Sequence, residues 1–591
     1  MQKYSSMTML LRALCLLLLV VAGNCNFFWD PFPSFPKDPG FDFPIGGTPS
    51  EDDAPKPKQD KPNFKGQWEL FTENSGVSAM HLILLPKINK VLMFDSTIWL
   101  KSNIMLPKGE PCRMVDEGQG VIHDCYAHSI LLDIETKELV PLRLNFDTWC
   151  SSGALAIDGT LVSTGGFRNG SDTARYLSLG DNSPWREYPG TLANGRWYST
   201  QVTLGDGRFI VFGGRDSPTY EFLPVEGQRN TQPILFPFLV ETKDRDENNL
   251  YPFVYLSTDG NLFVFANNRS ILLDPNTQKT VMEFPVLPGG SRCYPASASS
   301  VLLPIVIQPN QEKDKKIQAE VLVCGGAKND AFFWADRNRP KVFNPANDDC
   351  GRIKITESKP EWKIEKMPSP RILGDAIILP TGDVLLLNGA KAGSAGWDDA
   401  REPNFTPVMY RTRAAENERF RELEPSKIAR MYHSTSALLP DGKVMVAGSN
   451  TNNGYLFDAV FPTELRVEKF SPQYLDPTRS KERVQIVADA MTTQLKYGEK
   501  VMIQVRSPQF QLDKTKLQVT MYSPPFTTHG ISMNQRLVQL GIVDVNSNVF
   551  LGIHNIVATG PPSGNIAPPG YYMLFVNFNG VPSVAVWVQI R

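Results

Sequence analysis

One pattern recurs seven times along the chain: an apolar strand, a tight turn often made of Asp-Gly, and a second apolar strand ending in Gly or a small polar residue. The copies read HLILLPKINKVLMFDS from His81, ALAIDGTLVSTGG from Ala154, VTLGDGRFIVFGG from Val202 and VYLSTDGNLFVFAN from Val254. They continue as SSVLLP leading to EVLVCGG from Ser299, AIILPTGDVLLLNG from Ala376 and ALLPDGKVMVAGS from Ala437. Asp-Gly between alternating apolar runs predicts a hairpin with a two-residue turn whose central residues both have positive φ. Seven hairpins at intervals of about 40 to 80 residues predict the blades of a seven-bladed, kelch-like β-propeller spanning 63–468. A β-sandwich could also be built from turn-rich hairpins, but the repeated Gly-Gly favours the propeller.

The flanks differ from the repeat. Lys3 and Arg12, the apolar run Ala13 to Ala22 and the small residues Val21-Ala22-Gly23 predict a secretory signal over 1–23. A membrane anchor is the alternative, and the run is short of the roughly 20 residues that span a bilayer. Residues 24–62, rich in Pro, Asp and Lys without apolar periodicity, read as a solvated linker. Beyond Lys469 the repeat stops, and strands such as LQVTMYS (Leu517 to Ser523), YYMLFVNFNG (Tyr571 to Gly580) and VAVWVQI (Val584 to Ile590) predict an immunoglobulin-like β-sandwich over 469–591.

Lys plus Arg number 60 against 62 Asp plus Glu, which leaves no basic field for nucleic acid. The sequons at Asn169, Asn268 and Asn404 agree with secretion and predict glycosylation. Of the eight cysteines, Cys15 and Cys25 fall at the signal; Cys112 with Cys125, and Cys324 with Cys350, are the expected local disulfides, and Cys293 has no assigned partner. His123-x-Cys125-x-x-His128 has the look of a metal cluster, but in a secreted chain a disulfide from Cys125 is favoured.

Counting back from the turn Asp gives a register. Cys150 stands eight residues before Asp158, Tyr198 eight before Asp206 and His433 eight before Asp441, with Tyr432 beside it. Equivalent offsets in equivalent hairpins place these side chains at one height, at a mouth of the central channel. Tyr251 shares the offset from Asp259 without any other sign of chemistry. Tyrosinate and imidazole form an N,O donor set that suits Cu(II), and iron(III) would tolerate it. A two-electron oxidation at one copper ion needs a second redox group, which a tyrosine joined to a cysteine sulfur can supply; Cys150 is therefore kept out of the disulfides.

Several longer motifs then fall in order: GQWELF with GVSAMH (Gly66 to His81), DTWCSSG around Cys150, GRWYST around Tyr198, GGR with YEF (Gly213 to Phe222), RMYHSTSALLPDG around Tyr432 and His433, SPPFTTHGISMNQR around His529, and APPGYYMLF. In these the chain resembles the plant glyoxal oxidases of the copper radical oxidase group, which also contains galactose oxidase. The resemblance implies one copper ion held by Tyr198, Tyr432, His433 and His529, with Tyr198 equatorial and cross-linked to Cys150 as the radical cofactor. His529 belongs to the last domain, so a sandwich loop must reach the propeller channel. The implied cycle is ping-pong: Tyr432 takes a proton from the substrate, the Tyr198 radical removes hydrogen from its carbon, and O2 leaves as H2O2. Where galactose oxidase has a shielding tryptophan after the Gly-Gly, this chain reads Arg215-Asp216-Ser217.

The expected function is thus a secreted, extracellular copper oxidase of the cell wall or apoplast, turning aldehydes of the glyoxal and methylglyoxal type into carboxylic acids. The alternatives are a galactose oxidase-like primary-alcohol oxidase acting on cell-wall polysaccharide and a non-catalytic propeller that binds carbohydrate or protein.

Overall fold

The computed structural model describes residues 64–591, apart from 117–119, 181–182, 312–314, 510 and 549–550. The expected signal sequence and the linker, with Cys15 and Cys25, lie outside the described residues.

The described chain is nearly all β. Each of the seven copies is a hairpin that begins a four-stranded antiparallel meander. Among the described residues these meanders occupy 81–142, 152–188, 199–235, 253–283, 299–366, 375–422 and 435–471. The seventh takes its outer strand from the start of the described chain, where Gln67–Thr72 pairs with Val467–Ser471. Burial is greatest in the first two strands of each meander and falls outward: Ser199–Thr203 and Phe209–Gly213 are wholly buried, whereas Lys279–Glu283 and Lys363–Lys366 are largely exposed. Strands covered on both faces cannot alternate, which is why the copies read as nearly continuous apolar runs.

The turns depart from the expected two-residue form. Only the glycine has positive φ, 84° to 89° at Gly159, Gly207, Gly260, Gly382 and Gly442. Each of these donates its N–H to the carbonyl three residues back, as Gly207 does to Leu204 O at 3.0 Å. This is a three-residue loop closed by a left-handed glycine. The preceding Asp stays out of the left-handed region because its carboxylate accepts the N–H two residues on, from Thr160, Arg208, Asn261 and Lys443 at 2.9 to 3.2 Å.

The opposite ends of the meanders carry the long connections between second and third strands, such as 95–128 and 448–466. Two disulfides support this architecture, as expected: Cys112–Cys125 staples the hairpin Arg113–Asp116 with Val121–Asp124, and Cys324–Cys350 joins paired strands of the fifth meander.

After the last meander come two further sheets. One is built on Leu517–Ser523 and Gly570–Phe578, the other on Lys500–Arg506 and Ile553–Thr559. The second sheet alternates buried and exposed residues. The first is buried on both sides because it also packs against the meanders: Thr520 Oγ1 and Asn577 Nδ2 both donate to Pro380 O, at 2.9 and 3.0 Å. From this domain the hairpin Phe526–Thr528 with Ile531–Met533 enters between the meanders, pairing with His81–Leu85 on one side and with Ser299–Leu302 on the other.

Candidate metal centre

Five residues at the register position, Cys150, Tyr198, Tyr251, Leu373 and His433, have φ between 47° and 70°, although none is glycine. Such a backbone costs about 1–3 kcal/mol per residue and persists where the surroundings fix it. Here backbone hydrogen bonds pass from one meander to the next: Tyr198 N to Cys150 O (3.1 Å), Tyr251 N to Tyr198 O (2.9 Å) and Leu373 N to Ser297 O (2.8 Å). The repeated small residue after the second strand has its cause at the same level. A Cβ on Gly448 would sit 2.5 Å from His433 O, and one on Gly165 would sit 2.3 Å from Arg196 O.

Three triplets of the form Arg-x-Tyr complete the scaffold: Arg196-Trp197-Tyr198, Arg292-Cys293-Tyr294 and Arg430-Met431-Tyr432. Each arginine is buried and donates through Nη1 to the carbonyl of Gly213, Gly325 or Gly448, respectively. Each is also paired with a carboxylate, from Glu221, Asp349 or Glu468. Buried, paired and hydrogen-bonded guanidinium groups fix the backbone from which each tyrosine projects.

The three tyrosine hydroxyls meet. Tyr294 Oη donates to Tyr198 Oη at 3.1 Å and lies 2.9 Å from Tyr432 Oη. His433 and His529 rings are 4.7 Å apart, and His529 is 5.4 Å from Tyr432 and 6.0 Å from Tyr198. Ligating atoms of Cys150, His433 and His529 all fall within 4.8 Å of one another. The structure thus brings together Cys150, Tyr198, Tyr432, His433 and His529, all buried. His529 stands at the turn of the entering hairpin, with Nδ1 2.6 Å from Thr528 Oγ1 and Nε2 3.1 Å from Cys150 Sγ.

Burial sets the protonation states. It lowers His433 to about 3 and His529 well below the usual range, so both imidazoles are neutral, the form that ligates metal. Burial raises the Tyr198 and Tyr432 phenols and the Cys150 thiol. Ionised phenols at such a place need a nearby cation. His433 Nε2 is buried and has no hydrogen-bond partner among the described residues, which leaves that nitrogen free to act as a ligand.

Other expectations separate. Tyr251 packs against the centre, 5.1 Å from the His529 ring, and spends its hydroxyl on Ser151 O at 3.0 Å. His123 is exposed, Cys125 is in its disulfide, and His128 Nε2 lies 2.8 Å from Asp124 Oδ2, so these three do not gather as a metal site. Asn169 is exposed and Asn268 partly so, but Asn404 is buried and its amide donates to Ser369 Oγ and Pro370 O, which turns that nitrogen away from solvent. Cys293 is buried and free. A tryptophan does shield Tyr198, from the position just before it: the Trp197 ring is 4.7 Å away, with the Arg215 guanidinium over both rings. Tyr294 was not among the sequence candidates, because its meander has no Asp-Gly turn from which to count a register; the Arg-x-Tyr triplet is the signal that marks it.

Comparison with known proteins agrees with this geometry. The glyoxal oxidase N-terminus family model matches residues 80–474, and the galactose oxidase-like early set domain matches 483–590. Aldehyde oxidase GLOX1 of Arabidopsis thaliana is 55% identical over 528 residues, covering 89% of this chain and 85% of that protein. Aldehyde oxidase GLOX of Vitis pseudoreticulata is 41% identical over 534 residues, covering 89% and 98%. A solved fungal alcohol oxidase of the AA5 family, in complex with copper, shares the fold with a TM-score of 0.66 at 17% identity, over 89% of this chain and 99% of that one. With one family model spanning well over half its length and relatives matched nearly end to end, the chain belongs to the glyoxal oxidase family.

Proposed function

We propose that this oxidoreductase is a secreted copper radical oxidase that converts small aldehydes of the glyoxal and methylglyoxal type to carboxylic acids and reduces O2 to H2O2. The observation that carries the reading is the convergence of two phenols, two neutral imidazoles and a thiol on one buried point, with His433 Nε2 left unpartnered there. Tyr198, Tyr432, His433 and His529 would hold the ion, an N,O set that suits Cu(II). Bound copper would accept one electron of the two-electron oxidation and oxidised Tyr198 the other, and O2 would take both up again.

Cys150 Sγ, buried like Tyr198, would form a thioether to that ring with loss of two hydrogens to O2, and the sulfur would make the ring easier to oxidise. In turnover Tyr432 Oη accepts the proton of the aldehyde hydrate, and oxidised Tyr198 takes hydrogen from its carbon. Hydrate plus O2 then balances as acid plus H2O2.

The seven meanders read as the seven blades of a propeller over 63–468, closed by Gln67–Thr72 in the last sheet, with the sandwich over 469–591 supplying His529. Two disulfides support an oxidising, extracellular location, and no helix of the described residues is long and apolar enough to cross a membrane. The test is O2 uptake and H2O2 release by the copper-loaded protein on methylglyoxal and on galactose. Faster turnover of methylglyoxal is expected; faster turnover of galactose would make it an alcohol oxidase, and no turnover of either would refute the oxidase reading.

A further inference from the structure

Tyr294 is built by the same device as the two tyrosines proposed to hold copper. Its Arg-x-Tyr triplet, its buried arginine and the glycine carbonyl that anchors it repeat those of Tyr198 and Tyr432. Its ring is stacked on that of Tyr198, at 4.3 Å and 28°, tilted by 35° to that of Tyr432 at 6.3 Å, and edge-on to that of His529 at 5.8 Å. An ordinary buried tyrosine gives its hydroxyl to a carbonyl, as neighbouring Tyr251 does. Tyr294 instead turns its hydroxyl to the oxygens of Tyr198 and Tyr432, at 3.1 and 2.9 Å.

We infer that Tyr294 is a positioning residue of the radical site, whose hydroxyl donates a hydrogen bond to the phenolic oxygen of Tyr198 and stabilises the reduced form of that side chain. The inference rests on the proposed function. A donor favours the charged phenolate over the neutral phenoxyl, because the bond is stronger to a full negative charge. The bond therefore raises the reduction potential of Tyr198 and makes its oxidised form a stronger hydrogen acceptor. Contact with Tyr432 on the other side holds the redox side chain and the proton acceptor in fixed relation.

Tyr294→Phe keeps the stacked ring and removes only the hydroxyl. In the copper-loaded full chain we expect copper content and the Cys150–Tyr198 cross-link to match wild type. The potential of the Tyr198 couple, followed by its optical absorption, should fall by about 60 mV for a tenfold loss of stabilisation. The oxidised form should persist longer, and kcat on methylglyoxal should drop about tenfold with KM nearly unchanged. Placing p-aminophenylalanine at position 294, which restores a donor, should move the potential back. A Phe variant with the wild-type potential and spectrum overturns the inference, as does failure of the restored donor to shift them. Absence of the cross-link from the wild-type protein itself would instead strike at the proposed function.

Discussion

The two ends of the meanders obey different rules. At the turn end, five loops repeat one construction, with a left-handed glycine and, in four of them, an Asp that accepts the N–H two residues on. At the opposite end the connections between second and third strands run from two residues, 267–268, to more than thirty, 95–128, and the register position is filled by Cys150, Tyr198, Tyr251, Leu373 or His433 on nearly the same left-handed backbone. The repeat thus supplies a frame at one end and leaves the side chain free to vary at the other. Leucine and a packed tyrosine occupy the same backbone position as the proposed ligands, so the chemistry belongs to the side chains and not to the conformation.

Substitutions at the two ends should therefore separate activity from stability. The largest effect is expected for His433→Ala or His529→Ala, which should lower H2O2 release to background and abolish bound copper in metal analysis, with little change in circular dichroism. Tyr432→Phe should retain the fold and cost about 10²–10⁴-fold in kcat, as expected for loss of a general base, measured with saturating methylglyoxal. Gly448→Ala joins the two properties, because its Cβ would press on His433 O at 2.5 Å: roughly 2 kcal/mol of stability should be lost in urea unfolding, together with much of the activity. The smallest change should follow Asp206→Ala, which removes the turn hydrogen bond at 3.0 Å and an exposed ion pair with Arg208 at 2.7 Å, costs about 1 kcal/mol and leaves kcat and KM unchanged. Loss of kcat in that variant would break the division between the ends.

Much of this division can be read in the sequence. The hairpins are visible because strands buried on both faces leave long apolar runs, and the offset from the turn Asp picks out Cys150, Tyr198 and His433 because identical loops keep identical spacing. The turn type itself is less visible: Asp-Gly suits a two-residue loop as well as a three-residue one, and the Asp carboxylate bond to the second N–H onward decides between them. His529 could be found only through family resemblance, since it comes from a hairpin outside the repeat whose pairing with Ser299–Leu302 no local pattern announces. Tyr294 escaped because the fifth meander has no Asp-Gly turn from which to count, and its position depends on Arg292 reaching Gly325 O across 33 residues. Asn404 carries a sequon like the other two, and only the packing of its amide against Ser369 and Pro370 distinguishes it.

Peptide mass spectrometry of the copper-loaded protein after exposure to O2 tests the central claim most directly. The account predicts a Cys150 peptide joined to a Tyr198 peptide with loss of two hydrogens, absent from Cys150→Ser. Recovery of both peptides unlinked from the wild-type protein under those conditions would contradict it.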